Sequence, residues 1–452
     1  MTLEQHPDVV WFREGGHAGP DGGEAGAVAR PRLRAAELRE LCLAAGAADV
    51  GFVEVDGPAA ADQRAEILEV LPGTATIASL VFRLNRHSLR SPLHSTVDVE
   101  FQLASGYANR TGRAVVSRLS KLGVRSVNLP AGFPFETGRW PGQMWPVAEK
   151  PVAEAAGVGR MGWHRCIIHP EFGSAITLGT VLVAAELDTY SQPLDVNPCI
   201  ECKLCVSVCP TGAIAADGHF DFVSCYTHNY RERLGGFQDW VERLAASKGT
   251  ADYRARVSDA ETVSMWQNLS VGPQTKCDKC MAVCPAGRDV IGEYLSDEKA
   301  YRAQVVDRLR DKEETIYVVA GSDAEASVTK RFPKKMVKRV VNGLRPNSPR
   351  NFLGALPLIF QRGQAEGLDA TYHFSFTGVE PCQGTVVIRD KTIAVSDGLV
   401  GTADLRVTAD GATWIAFLAK EKGLAEALIT RRLKLSGSLR LMSAFARCFP
   451  SG

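Results

Sequence analysis

At 452 residues the chain is longer than one hydrophobic core organises, so two or three domains are expected. Its 52 Lys and Arg nearly balance 51 Asp and Glu, a net charge of +1. That balance excludes partners recruited by bulk charge, and no nucleic acid and no acidic membrane surface are expected. The start, MTLEQHPDVVWFREGG, lacks a basic segment leading into an apolar one, and no apolar run approaches the roughly 18–20 residues that span a bilayer, so no transmembrane segment and a cytoplasmic location are expected.

Residues 1–30 end in GGHAGPDGGEAGAVAR, which has no periodicity, and are expected as a flexible tail. Apolar residues recur at helical spacing from Leu33 to Leu43, and Val50–Val55 reads as a strand. Ala78–Phe82 is a second strand; Gly112–Leu122 is an amphipathic helix stopped by Gly123, ahead of the strand-like Val124–Leu129. Ala175–Leu187 reads as a buried strand region. This alternation predicts an α/β domain over 31–190, then a cysteine-rich segment over 191–295. Residues 296–345, with KEET and KRFPKKMVKR, read as a charged linker, and the basic run Arg331–Arg339 as a solvated face rather than a dock for an acidic partner.

Cys199, Cys202, Cys205 and Cys209, followed by Pro210, spell C-x2-C-x2-C-x3-C-P, the bacterial ferredoxin run whose fourth thiolate ligates the other cluster. Cys277, Cys280, Cys284 and Pro285 match the last three positions of a second run, with Gln274 where its first cysteine would stand. Cys225 completes the count of eight. Two [4Fe-4S] clusters are therefore expected, one on Cys199, Cys202, Cys205 and Cys284, the other on Cys209, Cys225, Cys277 and Cys280. Paired CxxC units also build zinc knuckles, but those require neither the triple run nor its x3-C-P ending. Cys42, Cys166, Cys382 and Cys448 lie outside both runs and read as small buried hydrophobes. The Asp217–His219 triplet reads as a turn.

Around these residues, Pro151–Gly287 resembles the cobalamin-dependent reductases typified by epoxyqueuosine reductase and the reductive dehalogenases. PVAEAAGVGRMGWHRCIIHPEFGSAITLGTVLVAAEL is similar to that family's corrinoid-domain segment, and GYANRTGRAVVSRLSKLG to its upstream helix. The resemblance implies a corrinoid in the α/β domain, reduced by the nearer cluster, with Gly157, Gly159 and Gly173 admitting the macrocycle. It also implies a low-potential electron donor of ferredoxin or flavodoxin type. Gln143 departs from the family's proton-donating Asp, which leaves the catalytic acid open among Tyr107, Glu149 and His164.

Over 346–452, TYHFSFTG, TVVIRD, KTIAVSDG and ADLRVTAD alternate as strands, and TWIAFLAKEKGLAEALI and LKLSGSLRLMSAFARCF add helix, strand and helix, an α+β layer. Residues 351–449 resemble the sterol carrier protein type 2 domain, which implies a lipid tunnel lined by Phe374, Phe376, Val386, Ile388, Trp414, Phe417, Leu441 and Phe445. Alternation alone does not separate a hollow interior from a filled one. The expectation is thus an iron–sulfur, corrinoid-dependent reductase of a hydrophobic lipid, sterol or acyl substrate. The rival is a ferredoxin-type electron carrier without corrinoid, docked to a lipid-metabolising partner by its C-terminal domain.

Overall fold

The computed structural model describes residues 2–14, 31–142, 144–272, 275–378, 380–419, 421 and 432–450. The N-terminal sheet is built from β1 (Asp49–Glu54), β2 (Thr76–Arg83), β3 (Ser126–Asn128) and β4 (Ile176–Val183), in the order β1-β2-β4-β3 and antiparallel throughout. β2 and β4 read as unbroken apolar runs because both faces of the sheet are covered. Ile77 and Val81 enter one core with Val53, Val152 and Leu182; Ala78, Leu80 and Phe82 enter the other with Leu38, Val115 and Leu119.

The second core is closed by α1 (Ala35–Ala45) and α2 (His94–Lys121), and the first by α3 (Glu149–Ala155). Gly123, at φ 74°, ends α2 as expected, with its N–H donating to the Ser120 carbonyl and that of Val124 to Leu119. α2 begins 18 residues before the expected Gly112. Asp98 breaks its apolar periodicity, yet is buried because its Oδ1 accepts the Thr275 N–H at 2.9 Å. Within the expected tail, Pro7–Arg13 is helical, and residues 15–30 lie outside the described residues.

The cysteine segment contains α4 (Leu204–Val208), α5 (Phe222–Asn229) and α6 (Lys279–Ala282). Asp217–His219 is the expected turn, inside the bridge Ile214–Phe220.

Residues 296–345 are not a linker. β5 (Thr315–Val318) and β6 (Met336–Arg339) pair in parallel across α7 (Asp323–Arg331), around Ile316, Val318, Ala324 and Val328. Its apolar cluster is small, and charged residues dominate its sequence. The basic run is not a free solvated face either. Lys335 donates to Glu314 at 2.6 Å, Arg339 to Glu325 at 2.6 Å and Arg331 to the Val206 carbonyl at 2.7 Å, while Lys338 pairs with Glu261.

The C-terminal module opens with α8 (Pro349–Ile359) and continues through β7 (Ala370–Thr377), β8 (Cys382–Arg389), β9 (Thr392–Asp397), β10 (Leu405–Asp410), α9 (Gly411–Leu418), β11 (Leu433–Gly437) and α10 (Leu439–Cys448). Its sheet order is β9-β8-β7-β10-β11, with β7 and β10 parallel and the remaining pairs antiparallel. The module is clamped to the cysteine segment: Gln361 Nε2 donates to Asp221 at 3.1 Å, and Arg362 pairs with Asp217 at 2.9 Å.

Candidate cluster pair and reaction cavity

The first cysteine run wraps tightly because Glu201 and Lys203 adopt left-handed backbone, φ 51° and 57°, a conformation costly for side-chain-bearing residues and suited to turning successive N–H groups inward. α4 then carries Cys205 into the core. The thiols fall into two neighbourhoods. Burial, and then Cys284, Cys202 and Cys199, push up the Cys205 thiol; burial, and then Cys284 and Cys199, do the same to Cys202. Burial, followed by Cys209 and Cys277, raises Cys225, and Cys280 is raised by Cys166, burial and Cys277. Cys277 is pushed up to about 12, chiefly by burial. Thiols that oppose one another's ionisation in this way suit a metal cluster, which takes thiolate and supplies the missing positive charge.

Two neighbours stand elsewhere than the sequence reading had them. Cys166 is not an isolated core thiol but stands beside Cys280, whose influence holds it well below the usual thiol range. His164 is buried, and its Nδ1 accepts the Cys166 N–H at 3.1 Å. Burial alone would lower the imidazole, but Cys166 and Cys284 raise it to about 10. His164 therefore belongs between the two thiol groups. The spacing H-x-C at 164–166 was the available signal.

A cavity of about 440 Å³ opens between the sheet and the cysteine segment, lined by Leu129, Pro130, Trp145, Glu149, Met161, Thr180 and Tyr230 among others. Of the three candidate acids only Glu149 reaches it. Burial raises its carboxyl to about 7, and Thr180 Oγ1 donates to it at 3.2 Å. Tyr107 packs edge-on against Phe82 at 5.8 Å, beside Gly46 and Thr111 on the face of the sheet covered by α1 and α2, and has no part in the cavity. Gln143 and Gln274 lie outside the described residues.

The three glycines expected beside a corrinoid are closely packed on the side a Cβ would occupy. A Cβ at Gly157 would stand 2.2 Å from the Gln192 carbonyl oxygen, at Gly159 2.5 Å from Ile167, and at Gly173 2.0 Å from the Ala286 carbonyl oxygen. On that side each position meets neighbouring protein.

The expected tunnel lining is largely a packed core. Phe374, Phe376, Val386, Ile388, Trp414 and Phe445 are buried, with Phe417 and Leu441 packed partly buried at the edge. Phe352 of α8 stands edge-on to Trp414 at 5.3 Å and to Phe374 at 5.5 Å, filling the space between sheet and helices.

Comparison with known proteins fits this organisation. Residues 193–215 match the 4Fe-4S binding domain model and 360–450 that of the SCP-2 sterol transfer family. Epoxyqueuosine reductase of Salmonella typhimurium is 33% identical over 228 residues, 50% of this chain and 51% of that protein. The chain thus spans about half the length of the curated relatives it matches first. A solved catabolic reductive dehalogenase aligns at 14% identity and TM-score 0.38 over 69% of this chain and 40% of its own. An epoxyqueuosine reductase solved with a tRNA-Tyr epoxyqueuosine-modified tRNA stem loop aligns at 17% identity and TM-score 0.33, over 72% and 80%. Against curated relatives that are epoxyqueuosine reductases the expected absence of nucleic acid does not stand, since near-neutral net charge does not decide what a local surface binds. Among the described residues no helix is long and apolar enough to cross a membrane. An α/β half resembling the epoxyqueuosine reductases, a 4Fe-4S segment and a C-terminal SCP-2 sterol transfer domain are thus joined in one polypeptide.

Proposed function

We propose that the chain is an iron–sulfur reductase of an apolar substrate. Cys199, Cys202, Cys205 and Cys284 hold one [4Fe-4S] cluster, and Cys209, Cys225, Cys277 and Cys280 the other. The observation that carries the reading is the cavity at Glu149: a walled space between the sheet and the cysteine segment, with one carboxyl whose proton is retained to about pH 7. A ferredoxin- or flavodoxin-type donor feeds the clusters, and the C-terminal module (346–452) brings the apolar substrate to the 31–190 domain.

The clusters, held by these cysteines, would supply electrons one at a time, and a corrinoid, where bound, would supply a strongly reducing metal centre. The protein's own part is positional. Glu149 holds the proton a reduction consumes, Thr180 orients the carboxyl, and Trp145 and Tyr230 exclude water from the chamber. Tyr230 is fixed by stacking on Tyr226 at 5.0 Å and by Arg233 over its ring at 4.3 Å.

The test is anaerobic reconstitution followed by iron, sulfide and zinc analysis and the paramagnetic resonance of added cob(II)alamin. Roughly eight irons with a changed cobalt signal support the reading. Clusters with cobalamin left free in solution would turn it into the electron-carrier reading, and zinc in place of iron would end both.

A further inference from the structure

A polar cavity of about 240 Å³ lies where four stretches of chain meet: the first turn of α2, the end of α5, the segment Lys276–Lys279 and the approach to β5. It shares no lining residue with the cavity at Glu149. Its wall is mostly polar and carries three lysines, Lys276, Lys279 and Lys312.

The positive charge there is only partly answered. Glu314 accepts from Lys279 at 2.7 Å and from Lys335 at 2.6 Å, and Lys276 is paired with Glu232. The Lys312 ammonium makes no hydrogen bond or ion pair among the described residues. Burial lowers it, Glu314 opposes that, and Lys279 and Lys276 lower it further. The imidazoles on the wall feel the same field: burial, followed by the three lysines, holds His94 down to about 4, and burial followed by Lys279 holds His228 at about 3. α2 adds to it. This 28-residue helix starts at His94 without a side-chain cap, so its positive end and its first free N–H groups stand at the wall.

Two enclosed groups on the wall also lack partners. His228 is 3% exposed, and its Nδ1 accepts the Tyr317 N–H at 3.4 Å, which puts the ring proton on Nε2; that donor is unpaired. Asp278 is 8% exposed, and its Oδ2 is unpaired as well. Buried polar atoms are ordinarily paired with protein, water or a ligand.

These groups define the ligand by its chemistry. Lysines act as point charges and here arrive from separate stretches of chain, with no arginine fork to match a planar carboxylate. Donors converging from several directions suit the corners of a tetrahedral oxyanion. Asp278 faces such an anion across one shared proton, which hydrogen phosphate itself carries.

We propose that this cavity binds a phosphate group, that of free inorganic phosphate or of a small phosphomonoester. Lys312 and His228 Nε2 are its unpaired donors, and the site does not rest on the reductase reading.

The full-length protein, purified anaerobically in phosphate-free buffer, is titrated calorimetrically with inorganic phosphate, glycerol 3-phosphate and acetate. One phosphate group is expected to bind per chain, the tighter of the two phosphate ligands naming the source, and acetate is expected not to bind. Lys312→Gln should weaken binding roughly tenfold. His228→Asn keeps an acceptor in the place of Nδ1 for the Tyr317 N–H, deletes the Nε2 donor and should also lose roughly tenfold. Lys330→Gln, exposed on α7 outside the cavity, should bind as wild type. If His228→Asn folds poorly, Lys312→Gln decides, since that side chain is only half-buried. Absence of heat with both phosphate ligands would leave water as the filling and overturn the assignment. So would equal affinity in Lys312→Gln and Lys330→Gln, or acetate binding as tightly as phosphate. Because no electron transfer is read, failure of the reductase reading and failure of this site give separate results.

Discussion

The two apolar interiors of this chain differ, one filled by its own side chains and the other keeping open space at its rim. The C-terminal module resembles a lipid carrier, yet its centre is an aromatic cluster in which Phe352, Phe374, Phe376 and Trp414 contact one another at 5.3–6.1 Å. The N-terminal domain, whose sheet is packed on both faces, keeps open space at its rim, where Pro146–Pro151 faces Tyr230. A repeating apolar pattern states which side chains turn inward, but whether they meet depends on a further element. Here α8 is that element: it fills one interior with Phe352 and walls a different cavity with its other side.

The largest effect that tests this contrast lies at the hollow end. Glu149→Gln should lower the reduction rate about 10²–10⁴-fold while leaving iron content unchanged, the range for removing a positioned proton donor. In wild type the rate should fall as pH rises through about 7, where burial sets the carboxyl's ionisation, and the variant should lose that limb. The same shift has a stability consequence of defined sign. A carboxyl whose folded pKa exceeds its unfolded one binds more protons when folded, so its ionisation disfavours the fold progressively from about pH 4.5 to about 7. Glu149→Gln should therefore be more stable than wild type at pH 8, with the difference vanishing near pH 4, by denaturant titration. An unchanged pH–rate profile would remove Glu149 from the chemistry.

At the filled end, Phe352→Ala should cost about 3–5 kcal/mol, measured by thermal or denaturant unfolding of the C-terminal transition, because it deletes a buried ring and leaves a cavity. An apolar probe should then bind inside the module and recover part of the loss by mass action. If the variant is as stable as wild type and binds no better, the interior was never closed by α8, and the expected tunnel returns.

The cysteine pattern was the most legible part of the site, because ligand spacing is a property of the chain itself and the two thiol neighbourhoods depend on little else. The acid was legible only as one of three. Tyr107, Glu149 and His164 are all proton-bearing side chains near the resembling segment, and the periodicity around them gives their facing but not what lies opposite. Tyr107, on α2, faces Phe82 and the end of α1 at Gly46, His164 faces two thiols, and Glu149 alone of the three lines the cavity. The unit at 296–345 was hidden for a different reason. Lys335 and Lys279 are nearly enclosed around Glu314, which their charges hold down to about 2 against the effect of burial, so charged residues that look solvated are part of its packing.

The smallest expected effect concerns the one hydroxyl at the centre of the filled interior. Tyr372 has no exposed surface, its ring packs on Phe445 at 5.0 Å, and its hydroxyl donates to the Leu441 carbonyl at 3.1 Å, tying β7 to the first turn of α10. Carbonyls near a helix start have intrahelical partners available, so losing this bond leaves little unsatisfied, and Tyr372→Phe should cost only about 0.5–1.5 kcal/mol by denaturant titration. Iron content and reduction rate should not move, since nothing near the cavity at Glu149 is disturbed. The variant also separates a closed interior from one that takes a ligand. In a hollow domain the hydroxyl would be a polar group met by the guest, and Tyr372→Phe would change the affinity for apolar probes; in the packed arrangement it changes stability alone.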